Sequence, residues 1–181
     1  MSTLSPMKKS IISAMCIALC AVLPLAFHMI PNAGSVLSPM HIPVLLCGLI
    51  CGSFYGSLCG VMGPLLSHFT TGMPPMPMLP SMMVELAAFG AISGLLIKYV
   101  RTKNMYADLY ISLITAMLIG RILAGISRAL IFTPGGYTIS VWVTSYFITA
   151  LPGIIVQLVL IPGILIALEK ARLIPPRYPE R

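Results

Sequence analysis

The stretch Ile-Pro-Val-Leu-Leu-Cys-Gly-Leu-Ile-Cys-Gly-Ser-Phe-Tyr-Gly-Ser-Leu-Cys-Gly-Val-Met-Gly-Pro-Leu-Leu-Ser-His-Phe, residues 42–69, decides the fold. It contains no Lys, Arg, Asp or Glu, so it suits the interior of a bilayer. It exceeds the ~20 residues of an ordinary membrane helix and reads either as one long span or as two short ones meeting near Ser53 and Phe54. Charge placement separates these readings. With two spans, the uncharged loops 31–40, 70–80 and 133–140 share one side, while Lys8, Lys9, Lys98, Arg101, Lys103, Lys170, Arg172, Arg177 and Arg181 share the other. A single span would send the Lys98–Lys103 cluster and the C-terminal cations outside, against the positive-inside bias. The expected architecture is therefore an all-α integral membrane protein of one domain, with six transmembrane helices and both termini cytoplasmic. Its spans fall at about 10–30, 42–53, 55–69, 81–99, 107–132 and 141–168, followed by a basic tail at 169–181.

Composition agrees with this class. Hydrophobic residues make up 58% of the chain and charged residues 8%, which leaves too little polar surface for a soluble domain beside the spans. The net charge of +7 arises mainly at segment ends, where it sets orientation, so no nucleic-acid partner is expected. The first span follows Lys8 and Lys9 as a signal peptide would, but it lacks an Ala-x-Ala exit and is read as a retained helix. Cys16, Cys20, Cys47, Cys51 and Cys59 lie in the spans, where they act as small apolar residues. Gly48, Gly52, Gly56 and Gly60 recur every fourth position, a spacing that permits close helix approach. No Ser or Cys nucleophile has a His base at motif spacing, and no Gly-rich Lys-Ser/Thr phosphate loop occurs. The chain is not expected to be an enzyme, to hydrolyse ATP or to hold a cofactor.

Three charges remain inside apolar segments: Glu85, Arg121 and Arg128. An ionisable group at membrane depth costs on the order of 3 kcal/mol unless paired or hydrated, so each demands a partner or a function. Counting residues from the outer ends places Glu85 level with Arg128, the expected structural ion pair. Arg121, nearer the midplane, is then the surplus cation, and its planar donor fork suits a carboxylate or another electron-rich group. The spacing of seven puts both arginines near one helix face, with the small Ala124 and Gly125 between them. His41, Trp142 and Tyr146 fall toward the same outer side, as an aromatic belt or as a cover for a flat ring. Candidate substrate contacts are Arg121, Arg128, Glu85, His41, Trp142 and Tyr146. A second reading uses His28, His41, His68 and the Met/Pro run 73–78 for copper or nickel, with soft and imidazole ligands. A third treats the buried charges as the glue of a ligand-free structural subunit.

The segments Met40-His-Ile-Pro-Val-Leu-Leu-Cys-Gly48, Pro64-Leu-Leu-Ser67, Thr71-Gly-Met-Pro-Pro75 and Glu85-Leu-Ala-Ala-Phe-Gly90 together resemble the substrate-binding S components of energy-coupling factor (ECF) vitamin transporters. Ala14-Met-Cys-Ile-Ala18 on the first span is similar to the Ala-x-x-x-Ala face by which S components dock on their coupling subunit. The resemblance implies capture of a vitamin or related micronutrient at the outside of the bacterial plasma membrane. It also implies a transmembrane coupling subunit docked at Ala14 and Ala18, and two cytoplasmic ATPases as partners. Surplus positive charge makes pantothenate the first candidate cargo, with hydroxymethylpyrimidine and pyridoxine-like compounds after it.

Overall fold

The computed structural model describes residues 4–26, 36–132 and 137–175, and among these every regular element is helical. The order is α1 (Pro6–Ala26), α2 (His41–Cys51), α3 (Ser53–Thr71), α4 (Leu79–Tyr99), α5 (Met105–Ser127) with a π-helical continuation at Arg128–Phe132, a short α6 (Ile139–Val143) running into a second π turn at Thr144–Ile148, and α7 (Leu151–Lys170). Four helices, Pro6–Ala26, Leu79–Tyr99, Met105–Ile131 and Leu151–Lys170, are long and apolar enough to cross a membrane.

The decisive stretch is divided at Gly52. Its φ of 97° and ψ of 176° lie where a side chain is strained, so the helical ladder stops there, next to the junction expected near Ser53 and Phe54. Downstream, α3 continues through Pro64 to Thr71 and stops at Gly72, whose left-handed φ of 73° lets its N–H reach His68 O. Chain entry into α5 is organised by polar caps. Asn104 accepts from Tyr106 N at 3.0 Å, and the buried Asp108 carboxylate accepts from Thr102 N at 2.8 Å and Thr102 Oγ1 at 2.7 Å.

The expected single span at 141–168 is interrupted. Pro152 has no N–H for a preceding carbonyl and is tolerated in the first turn of a helix, and the chain turns at Thr149 and Ala150 before α7 starts at Leu151. First-span helix begins at Pro6, earlier than expected, and is described to Ala26; residues 27–35, His28 among them, lie outside the described residues, as does the tail beyond 175.

Helix α4 is the centre of the bundle, packed on α2, α3 and α5, with α1 against α3 and α2 and with α7 against α2 and α5. Small residues let it sit there. A Cβ on Gly94 would lie 2.7 Å from Gly48 O, and one on Gly56 would lie 2.5 Å from Gly90 O; both contacts are with backbone, which cannot swing aside. Around α5 the usual polarity of a helix is reversed. Its buried stripe includes Ser112, Ala116, Gly120, Arg121, Ala124 and Gly125, while Ile114, Leu118, Ile122 and Ile126 face outward. That pattern fits lipid as the solvent: small and polar groups gain from helix contact, and large alkyl groups are at home outside.

Candidate functional site

Gly120 sets the geometry. A side chain here would run into the Phe89 ring and come within 3.3 Å of Glu85 O, so its absence lets α5 lie close against α4. The next residue, Arg121, thereby comes level with Glu85. Arg121 Nε stands 3.8 Å from Glu85 Oε1, and the two residues are 3% and 6% exposed. The carboxylate thus meets Arg121, the cation that counting along the helices, with Glu85 paired to Arg128, had left as surplus. Counting residues from each helix end ignores how far two helices slide along one another, and Gly120 with Phe89 decides that slide.

The first residue of α2 completes the cluster. His41 is 4% exposed, its Nε2 lies 3.5 Å from Glu85 Oε1 and its ring is 5.2 Å from Phe89. On its other side, Nδ1 lies 3.0 Å from Ser38 O. A carbonyl only accepts, so Nδ1 carries the hydrogen and Nε2 is the atom turned to the carboxylate. Ser38 adopts a left-handed φ of 45°, which turns the chain into α2.

Aromatic groups surround the guanidinium groups. Arg121 Cζ lies 5.8 Å from the Phe147 ring centre, and Arg128 Cζ lies 5.2 Å from that of Tyr137. Trp142 Nε1 donates to Arg121 O at 3.1 Å, and its indole rests on Gly125, where a Cβ would collide with it. Tyr146 is within electrostatic reach of Glu85, Arg121 and Arg128. The structure thus brings Glu85, His41, Arg121, Arg128, Trp142 and Tyr146 into one region. Both π turns begin beside it, at Arg128 and at Thr144, and such turns widen a helix locally. Ala14 and Ala18 are elsewhere, exposed along α1 beside Ile11, Met15 and Val22.

Sequence reading missed Gln157 and Ser38. Gln157, in α7, is fully buried, and its Nε2 donates to Ser38 O at 3.4 Å. Its signal was a lone amide in the apolar run 151–168; a screen for charge alone passes over it. Two atoms of the site, Arg121 Nε and Gln157 Oε1, are buried without a hydrogen-bond partner. Each such group costs about 1–3 kcal/mol.

A cleft of about 200 Å³ opens nearby, lined by Ile122, Gly125, Ile126, Tyr137 and Trp142 among others. Glu85, His41 and Arg121 do not line it, and Ile122 and Ile126 face outward. The cleft is an outward-facing groove next to the polar cluster.

Metal binding finds no geometric support here. His68 Nδ1 lies 2.8 Å from Pro74 O, and among the described residues no group of three or more His, Cys, Asp or Glu is arranged to hold an ion. All five cysteines are buried thiols.

In comparison with known families, the model of the ECF transporter, substrate-specific component, matches residues 8–165. No curated protein and no solved structure matches the chain.

Proposed function

Because the chain belongs to the family of ECF transporter substrate-specific components, we propose that it binds a small anionic vitamin or related micronutrient between α2, α4, α5 and α7. ECF substrate-specific components are multi-pass membrane subunits that bind substrate and are not enzymes; under this reading ATP hydrolysis resides in partner ATPases. Under this proposal both termini are cytoplasmic and six spans cross the plasma membrane. The short α2 pairs with α3, and the α6 and α7 pair serves as the last crossing. The His41 end then faces outside, and the Ala14 and Ala18 face of α1 meets the coupling subunit.

The observation that carries the substrate reading is the buried pair of Glu85 and Arg121 with a second, half-buried guanidinium, Arg128, in the same region. Among the described residues, the other carboxylates are Asp108, at the far end of α5, and Glu169, at the end of α7. Asp108 is thirteen residues from Arg121, roughly 20 Å along the helix, so positive charge is in excess where the orphan donor lies. With Arg121 Nε facing Glu85, an incoming anion would meet the terminal N–H groups of the Arg121 fork and be held there at two points. Pantothenate, with a carboxylate, hydroxyls and an amide, is the first candidate; hydroxymethylpyrimidine and pyridoxine-like rings follow, stacking on Trp142 or Phe147.

The test is a thermal-stability panel on the purified protein. A ligand present at 100 times its Kd raises stability by about 2.7 kcal/mol, so the true cargo gives a clear shift without ATP. A folded sample that responds to none of the vitamins would overturn the reading.

A further inference from the structure

Gln157 occupies the middle of Ile-Ile-Val-Gln-Leu-Val-Leu-Ile, residues 154–161, where an amide has no lipid or water to bond. Its orientation follows from its neighbour. Ser38 O only accepts, so the amide turns Nε2 toward it at 3.4 Å and Oε1 away, and Oε1 is buried with no partner. Ser38 O also receives His41 Nδ1, whose ring reaches Glu85, which in turn reaches Arg121. These contacts form one polar chain from α7 to α5: Gln157, Ser38, His41, Glu85, Arg121. It ends on α7 in an unused acceptor, the buried Gln157 Oε1, and on α5 at the guanidinium of Arg121, whose Nε faces Glu85 Oε1 at 3.8 Å.

Gly153 shows that the α7 end of the chain is held firmly. One turn before Gln157, a Cβ on Gly153 would lie 2.6 Å from Val36 O and 2.8 Å from Leu37 O, so α7 lies directly on the segment that carries Ser38. Gln157 is therefore held on the same segment that positions His41.

We propose that Gln157 determines specificity, its Oε1 accepting a hydrogen bond from an N–H or O–H of the cargo while Arg121 takes the cargo's anionic group. The cargo is then a molecule with a donor and an anion set apart from one another. A simple carboxylate satisfies one end of the chain, and an apolar ring satisfies neither. This inference rests on the substrate-binding reading above and adds the second recognition point.

The experiment uses the full chain in lipid nanodiscs. Pantothenate, pyridoxine and hydroxymethylpyrimidine are titrated first, and any that binds is compared with its N- or O-methylated counterpart, on wild type and on Gln157→Met. Wild type should prefer the unmethylated compound by about tenfold, the worth of one hydrogen bond to a buried acceptor. Gln157→Met should lose that preference, weakening the unmethylated compound by about tenfold and leaving the methylated one unchanged. If Gln157 only props up Ser38, both compounds weaken together and the inference is overturned. Equal binding of the two by wild type also overturns it, and that result needs no variant. Should Gln157→Met fail to fold, Gln157→Glu keeps an acceptor and must keep the preference. Binding of none of the three compounds by folded wild type removes the substrate reading and this inference with it, whereas binding without discrimination removes this inference alone.

Discussion

Replacing Arg121 by Leu should destabilise the protein strongly, and adding Glu85→Gln should restore much of the loss. The Glu85 and Arg121 side chains are buried with 3.8 Å between Oε1 and Nε. Opposite charges at that separation attract by about 4 kcal/mol at an effective dielectric constant of about 20. Removing one partner of a buried pair costs about 3–5 kcal/mol, chiefly because the other charge is left behind. A loss of at least about 3 kcal/mol is therefore expected for Arg121→Leu. In the double variant the stranded carboxylate is gone, and about 2 kcal/mol should return. The measurement is SDS-induced unfolding in mixed micelles for wild type, both single variants and the double. Trp142, the chain's only tryptophan, gives the signal from a position bonded to Arg121 O. A cost under about 1 kcal/mol for Arg121→Leu, or a double-variant cycle with no coupling, would refute the pairing and the register of α4 against α5 that produces it. The result also governs how ligand-binding variants are chosen. Arg121→Ala alone mixes lost recognition with a stranded carboxylate, so binding is better compared between Glu85→Gln and the Arg121→Leu, Glu85→Gln pair.

Three other substitutions probe the packing that builds the site. Gly90→Ala would drive a Cβ into the Gly56 backbone and should cost about 2 kcal/mol or more by overpacking; unchanged SDS unfolding would contradict the close α3–α4 contact. Gly125→Ala should lift Trp142 off α5 and break its bond to Arg121 O, seen as a shift in tryptophan emission at a stability cost of about 1 kcal/mol, and an unaltered spectrum would count against that contact. Gly153→Ala should push the 36–38 segment away from α7 and speed amide hydrogen exchange at His41, whose N–H bonds Ser38 O at 3.1 Å; unaltered exchange there would show that the segment is not held by α7.

Several features of the site were legible in the chain for simple energetic reasons. A carboxylate and two guanidinium groups in apolar segments are too costly to be incidental, so Glu85, Arg121 and Arg128 identify the region without coordinates. Gln157 carried the same kind of signal in a weaker form, an amide rather than a charge. Illegible was the assignment of partners. Helical periodicity tells which face a residue is on, but the relative slide of α4 and α5 depends on where Gly120 admits Phe89, a contact between residues thirty-one positions apart. Interruption of the last span was only half visible: Pro152 announces a break, yet the π turns at Arg128–Phe132 and Thr144–Ile148 have no local sequence mark of comparable strength.

By itself, the sequence determined that this is a helical membrane protein and that Glu85, Arg121 and Arg128 are charges within its apolar segments. Transfer of side chains between water and lipid is a local property, additive along the chain, and can be summed residue by residue. Only the tertiary structure decided that Glu85 meets Arg121 and His41, and that Ser38 joins His41 to Gln157. Those meetings depend on contacts between helices at backbone distance, where a missing Cβ at Gly120 or Gly153 sets which levels face each other.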